Sequence, residues 1–243
     1  MKRFYKEVAV SFVALLEGEV GGWLVLLDGR AIKTPKRADL ALPTRALAEA
    51  VAEEWRGQGE QVHPLAMPLT RLANSAIDRV RGREAEAVAK VLAYANDHLC
   101  YRAAMPADLV ARQDAAWNPL LDWAAERFGA RLVAGAGVAH IAQPEEALTA
   151  LRGAVSAYDP FLLVGLHGAA TVLASLVLAL ALAEGRLRAE DAFALSQLDE
   201  RYQTERWGED AEAAARTRAL AAELSAAARF MELARLSSRP SAA

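Results

Sequence analysis

The pattern of apolar and polar positions changes its period once along the chain. Over the first 43 residues the period is two. Val8, Val10 and Phe12 alternate with Ala9, Ser11 and Val13, which predicts a strand. Glu17-Gly18 and Gly21-Gly22 are turn signals. The apolar run from Trp23 to Leu27 stops at Asp28-Gly29. Asp-Gly between apolar runs marks a hairpin, because glycine supplies the positive φ such turns need. Ala31 to Thr34 is the returning strand, ended by Pro35, and Ala38 to Leu42 is a further strand, ended by Pro43. Together they predict a small antiparallel sheet that could curl into a partial barrel.

From Thr44 onward the period is helical. Thr44 is a cap, and Leu47, Val51 and Trp55 recur every four residues on one face. Gly57 and Gly59 end that helix, and His63 to Pro68 is a connector with two prolines. Helices are predicted over 69–80 and 83–101. Pro106 starts another, and Pro119 divides it, with Asn118 capping a second piece through Phe128. The segment 132–141 is Gly-rich and fits no single element. Further helices follow over 144–158, 160–184, 188–207 and 209–236, then a frayed tail from Ser237.

The run from Phe161 to Ala183 holds no Asp, Glu, Lys or Arg and by length alone could span a membrane. It is the one run of that kind. It carries His167, Thr171 and Ser175 at four-residue spacing, and many Gly and Ala residues. Small residues let helix backbones approach closely in a water-soluble bundle too. A buried core helix, starting at Asp159-Pro160, is the better reading.

Composition agrees with the helical pattern. Of 243 residues 54% are hydrophobic, enough for a sizeable core. Roughly a quarter of the chain is alanine, the strongest helix former. The formal charge of −3 argues against nucleic-acid binding as the main electrostatic mode. The lone Cys100 excludes a disulfide framework or a multi-cysteine metal cluster. The amino terminus shows neither a signal peptide's apolar core nor a transit peptide.

Candidate chemistry is sparse. His63, His98, His140 and His167 lie far apart and form no metal-binding spacing, and no phosphate-binding loop or nucleophile elbow occurs. No cofactor or metal is expected. Cys100 is read as a buried structural cysteine. The densest cluster of unusual residues is 198–210. Asp199, Tyr202 and Arg206 share one helical face, and Glu200, Gln203 and Trp207 share another. A solvated amphipathic helix and a protein-recognition surface both fit, since Trp, Tyr and Arg anchor interfaces and carboxylates set partner choice. Met67-Pro68-Leu69-Thr70-Arg71 reads as a domain junction.

At these clusters the chain resembles a known family, the assembly chaperone of the F-type ATP synthase catalytic sector that attends the alpha subunit ("ATP-twelve"). The resemblance spans nearly the whole chain. It runs through Leu27-Asp28-Gly29-Arg30, Lys33-Thr34-Pro35, Leu42-Pro43-Thr44, Glu53-Glu54-Trp55 and Met67-Pro68-Leu69-Thr70-Arg71-Leu72-Ala73-Asn74. It continues through Cys100-Tyr101-Arg102, Gln113, Trp117, Pro119-Leu120-Leu121-Asp122-Trp123, Ser175, Asp199-Glu200, Tyr202-Gln203, Glu205 and Trp207-Gly208.

The resemblance implies an α+β fold, with a small antiparallel β-rich amino-terminal domain and a larger all-helical carboxy-terminal domain. The expected division is 1–65 and 66–243. It implies a chaperone and no catalysis. The partner expected is the unassembled alpha subunit, shielded until the beta subunit replaces the chaperone. The partner-binding residues expected are Asp199, Glu200, Tyr202, Gln203, Glu205 and Trp207, with the family's acidic position at Asp199 or Glu200. A monomer in the bacterial cytoplasm is expected. The alternative from residue chemistry is an enzyme with an acidic cleft near Asp199, Glu200 and His167.

Overall fold

A computed structural model describes residues 1–13, 21–208 and 210–235. The Glu17-Gly18 turn, the predicted helix start at Glu209, its end at Leu236 and the tail from Ser237 lie outside the described residues. Strands β1 (Val8–Val13), β2 (Gly22–Leu27) and β3 (Arg30–Ala31) form an antiparallel sheet in that order. The register runs from Val8 opposite Leu27 to Val13 opposite Gly22, and Leu26 faces Ala31. Asp28 and Gly29 both adopt positive φ in the hairpin turn. The returning strand is shorter than its apolar pattern, and the strand expected over 38–42 is reduced to single bridges, Lys33 to Asp39 and Trp23 to Leu42. The chain reverses right after Pro35, with Arg37 at φ 67 and its N–H on the Thr34 carbonyl. That leaves no straight length for a ladder.

Helix α1 (Arg45–Arg56) begins where Thr44 Oγ1 accepts the Leu47 N–H at 3.0 Å. Leu47, Val51 and Trp55 are buried, as their spacing requires. Pro68 opens α2 (Pro68–Ser75). The cap of α2 comes from α1: the Glu54 carboxylate accepts the Leu69 and Thr70 N–H groups at 2.7 and 2.8 Å. A carboxylate at a helix N-terminus meets the unpaired N–H groups and the positive end of the dipole. The predicted helix over 69–80 then widens into one π-type turn over Ala76–Val80. Within it Asp78 accepts the Thr34 hydroxyl and the Lys36 N–H, pinning the turn after Pro35.

The rest is mostly helical. Helix α3 (Glu84–Leu92) stops nine residues short of the predicted end, and two single 3-10 turns follow. The reason is Asp97, which is fully buried and accepts N–H bonds from Leu99 and from Val177. Strand β4 (Tyr101–Arg102) pairs in parallel with β5 (Gly135–Ala136) from the Gly-rich segment, so the helical part also holds one short strand pair. Between them α4 (Ala107–Phe128) runs unbroken through Pro119, which corrects the expected division there. An interior proline costs about 3 kcal/mol. Burying each of Trp117, Leu120 and Leu121 on the inner face returns about 1.5–3 kcal/mol, and Pro119 itself sits exposed. Asn118 caps nothing; it accepts from Arg102 Nη2 at 2.9 Å.

Helix α5 (Glu145–Ser156) precedes the charge-free run, which is two helices rather than one: α6 (Pro160–Leu173) and α7 (Leu176–Ala183). Ala174 sits between them at φ 51, and the buried Ser175 caps α7 by accepting the Leu178 N–H. Among the described residues no helix is long and apolar enough to cross a membrane. The predicted helix over 188–207 is also two, α8 (Ala189–Ser196) and α9 (Leu198–Trp207), with Gln197 off helical geometry between them. Helix α10 (Ala211–Arg235) is the last among the described residues. A Cβ built on Gly168 of α6 would lie 3.6 Å from the Ala227 Cβ of α10, so small residues do allow close approach there.

Packing gathers the chain into two compact units. One comprises Met1–Arg83, Pro160–Gly165 and Arg229–Ala243; the other comprises Glu84–Asp159 and Leu166–Ala228. In the first, Thr44 Oγ1 also donates to the Leu233 carbonyl, and Phe161 stacks on Phe230.

Candidate partner-binding site

The site is built on α9 and the helix that supports it, α4. Tyr202 is buried and its hydroxyl donates to Asp108 in the first turn of α4 at 2.8 Å. Arg206 covers the Tyr202 ring, 3.7 Å from its centre, and donates to the other oxygen of Asp108 at 2.6 Å. Arg112, one turn further along α4, donates to Glu205 at 2.7 Å. Asp199 accepts from Gln113 Nε2 at 2.7 Å, while the Oε1 of that buried amide accepts the Ala103 N–H. Trp117 donates its indole N–H to the Leu195 carbonyl near the end of α8.

These bonds polarise the interface. The Tyr202 and Arg206 hydrogen bonds hold the Asp108 carboxyl below the usual range. The Arg112 bond does the same for Glu205. Burial, then the Asp108 bond, pushes the Tyr202 phenol up.

The six residues expected at the site therefore separate by role. Asp199, Tyr202 and Glu205 are used within the molecule to seat α9 on α4. Glu200, Gln203 and Trp207 face outward, and Trp207 is 76% exposed. Glu200 lines an open cleft of about 500 Å³ with Gln197, Asp210, Glu212 and Arg216. An exposed indole on the same outward stripe as a carboxylate, on a helix held from behind, can recognise a protein surface.

Sequence reasoning did not find Asp108 or Arg112. Their four-residue spacing is visible, but their partners lie more than 90 residues later. Gln113 was identified through the family pattern, not through any role its spacing reveals.

The alternative acidic cleft would require His167 to meet Asp199 or Glu200. The half-buried His167 meets the Tyr94 ring edge-on, and burial, then Lys90, lowers its pKa. Neither Asp199 nor Glu200 is among the partners described for His167. Cys100 is buried and its thiol is pushed up to about 12, mainly by burial, so it stays protonated and unreactive. Among the described residues no group of three or more His, Cys, Asp or Glu could hold a metal ion.

Comparisons with known proteins agree with this architecture. The family model described as ATP12 chaperone protein matches residues 2–125. The mitochondrial protein atp12 of Schizosaccharomyces pombe is 29% identical over 220 residues, spanning 85% of this chain and 74% of its own. The crystal structure of Atp12 from Paracoccus denitrificans is 43% identical. It covers 96% of this chain and 98% of its own, with a TM-score of 0.89. An aspartate-to-lysine variant of the Paracoccus protein matches equally well. With a family model covering half the chain and a solved relative superposing over almost all of it, the chain belongs to the ATP12 chaperone family.

Proposed function

We propose that this protein is a non-enzymatic assembly chaperone of the F-type ATP synthase catalytic sector, acting in the bacterial cytoplasm as a monomer when free. It binds the unassembled alpha subunit and shields its apolar inter-subunit surface until the beta subunit replaces it. An orphan subunit exposes an apolar interface that invites aggregation. A chaperone must cover that interface and still be displaced by the proper partner.

The observation that carries this reading is the outward stripe Glu200, Gln203 and Trp207 on a helix whose inner stripe is already committed to α4. Membership of the ATP12 family supports it. The stripe also separates the two adjacent acids. Glu200→Lys is expected to weaken capture of purified alpha subunit at least tenfold with an unchanged unfolding midpoint. Asp199→Lys is expected to lower the midpoint as well, because it breaks the Gln113 bond. Capture should be lost on adding beta subunit. Full capture by Glu200→Lys, or no competition by beta, would sink the reading.

A further inference from the structure

The first unit carries a groove of about 490 Å³ that no role described so far uses. Its walls are Phe4 and Tyr5 before β1, Leu27, Arg30 and Ile32 of the hairpin, and Trp55 of α1. That volume suits one or two side chains of a partner segment, not a globular face. Phe4 and Tyr5 meet edge-on at 5.4 Å and Tyr5 and Trp55 at 5.6 Å. This ladder of rings leads from an exposed lip, with Phe4 at 62%, to the buried Trp55. The walls are also held in place. Tyr5 donates to the Trp55 carbonyl at 2.7 Å, and the Asp28 carboxylate accepts the N–H groups of Lys6 and Glu7. A preformed aromatic surface loses little conformational freedom when it is covered.

Charge identifies the occupant. The groove's acid, Asp28, is occupied by backbone N–H groups, and Lys33 is paired with Asp39. Arg3 donates to the backbone carbonyls of Tyr5, Lys6 and Gln58, lies over the Tyr5 wall with its guanidinium 4.6 Å from the ring centre, and acts by its charge on Asp28. Arg30 is exposed on the rim and has no ion pair among those described for the chain. Two guanidinium groups, Arg3 over the Tyr5 wall and Arg30 on the rim, outweigh the one lining carboxylate, Asp28, and so complement an apolar side chain flanked by an acid.

We propose that this groove is a second docking site for the client subunit, taking a segment in which an apolar side chain stands beside a carboxylate. The proposal rests on the chaperone reading and extends it to the amino-terminal unit.

The test uses the full chain and purified alpha subunit. Phe4→Asp and Arg30→Glu, both at exposed positions, should each weaken capture at least tenfold without moving the unfolding midpoint. A photo-crosslinker at position 4 should join an alpha-subunit peptide containing an apolar residue next to Asp or Glu. If both variants capture alpha like the wild type while Glu200→Lys does not, the groove proposal falls and the chaperone reading stands. Crosslinks between two copies of this chain would also overturn it. If the wild type captures no alpha subunit, the chaperone reading fails and the groove proposal falls with it.

Discussion

Asp108 shows how one side chain on α4 orders another helix. It takes the Tyr202 hydroxyl on one oxygen and the Arg206 guanidinium on the other. Its pKa in the folded protein lies below the ordinary value of 3.8. The unfolded chain therefore binds more protons than the folded one as the pH falls toward that value. The stabilisation from Asp108 is complete above the unfolded pKa and is lost as the pH falls through the lower, folded pKa. The unfolding midpoint of the wild type should exceed that of Asp108→Asn at pH 7, and the gap should close on acidification below about pH 4. A gap that widens with acid would contradict this sign. Asp199 makes the same point about residue types. As a letter it reads as a candidate contact for a partner; as a side chain it accepts from the buried Gln113.

At the scale of elements, periodicity located the helices, and carboxylates from other segments and backbone breaks set several of their ends. The face of α1 was legible because Leu47, Val51 and Trp55 repeat locally and Thr44 caps within three residues. The split of 160–184 was not, because no charged residue, glycine pair or proline interrupts the apolar pattern at the break. It depends on Ala174 at φ 51 and on Asp97, which reaches from 80 residues away to the Val177 N–H. Ser175 completes the start of α7 from a fully buried position. Ser175→Ala should cost about 0.5–2 kcal/mol in urea unfolding, the range for a lost N-cap. Ala174→Gly should cost nothing or stabilise, since the left-handed region disfavours alanine by about 1–2 kcal/mol. Equal losses from both would argue against a cap-and-break junction. Pro119 is the reverse case. A strong local breaker is overridden, because the buried residues on either side gain more from a continuous helix than the proline costs.

At the scale of the whole molecule, the first unit is not a contiguous stretch of chain. It draws on Met1–Arg83 and on two later segments that supply the stacked pair Phe161 and Phe230. Phe230 is fully buried, so Phe230→Ala should cost about 3–5 kcal/mol. A fragment ending at residue 83 should show no cooperative unfolding transition by circular dichroism. A fragment that melts cooperatively on its own would refute this dependence. Both stripes of α9 were readable in the sequence as faces. Which one turned inward was not, since α4 and α9 present suitable faces and only their packing selects the pair.

By itself the sequence determined what local physics can encode. The change of period at Thr44, the Asp28-Gly29 hairpin, the capped face of α1 and the apolar content of 161–183 follow from neighbours within a turn or two. Its family pattern was legible for the same reason, as ordered short motifs. Only the tertiary structure decided what depends on distant partners. It placed Glu54 over the start of α2, Asp97 under the break between α6 and α7, and Asp108 beneath Tyr202. It thereby sorted the residues of α9 into those bonded to α4 and those left exposed. A hydrogen bond between groups 15 to 94 residues apart leaves no periodic trace, because the intervening chain, not the spacing, brings them together.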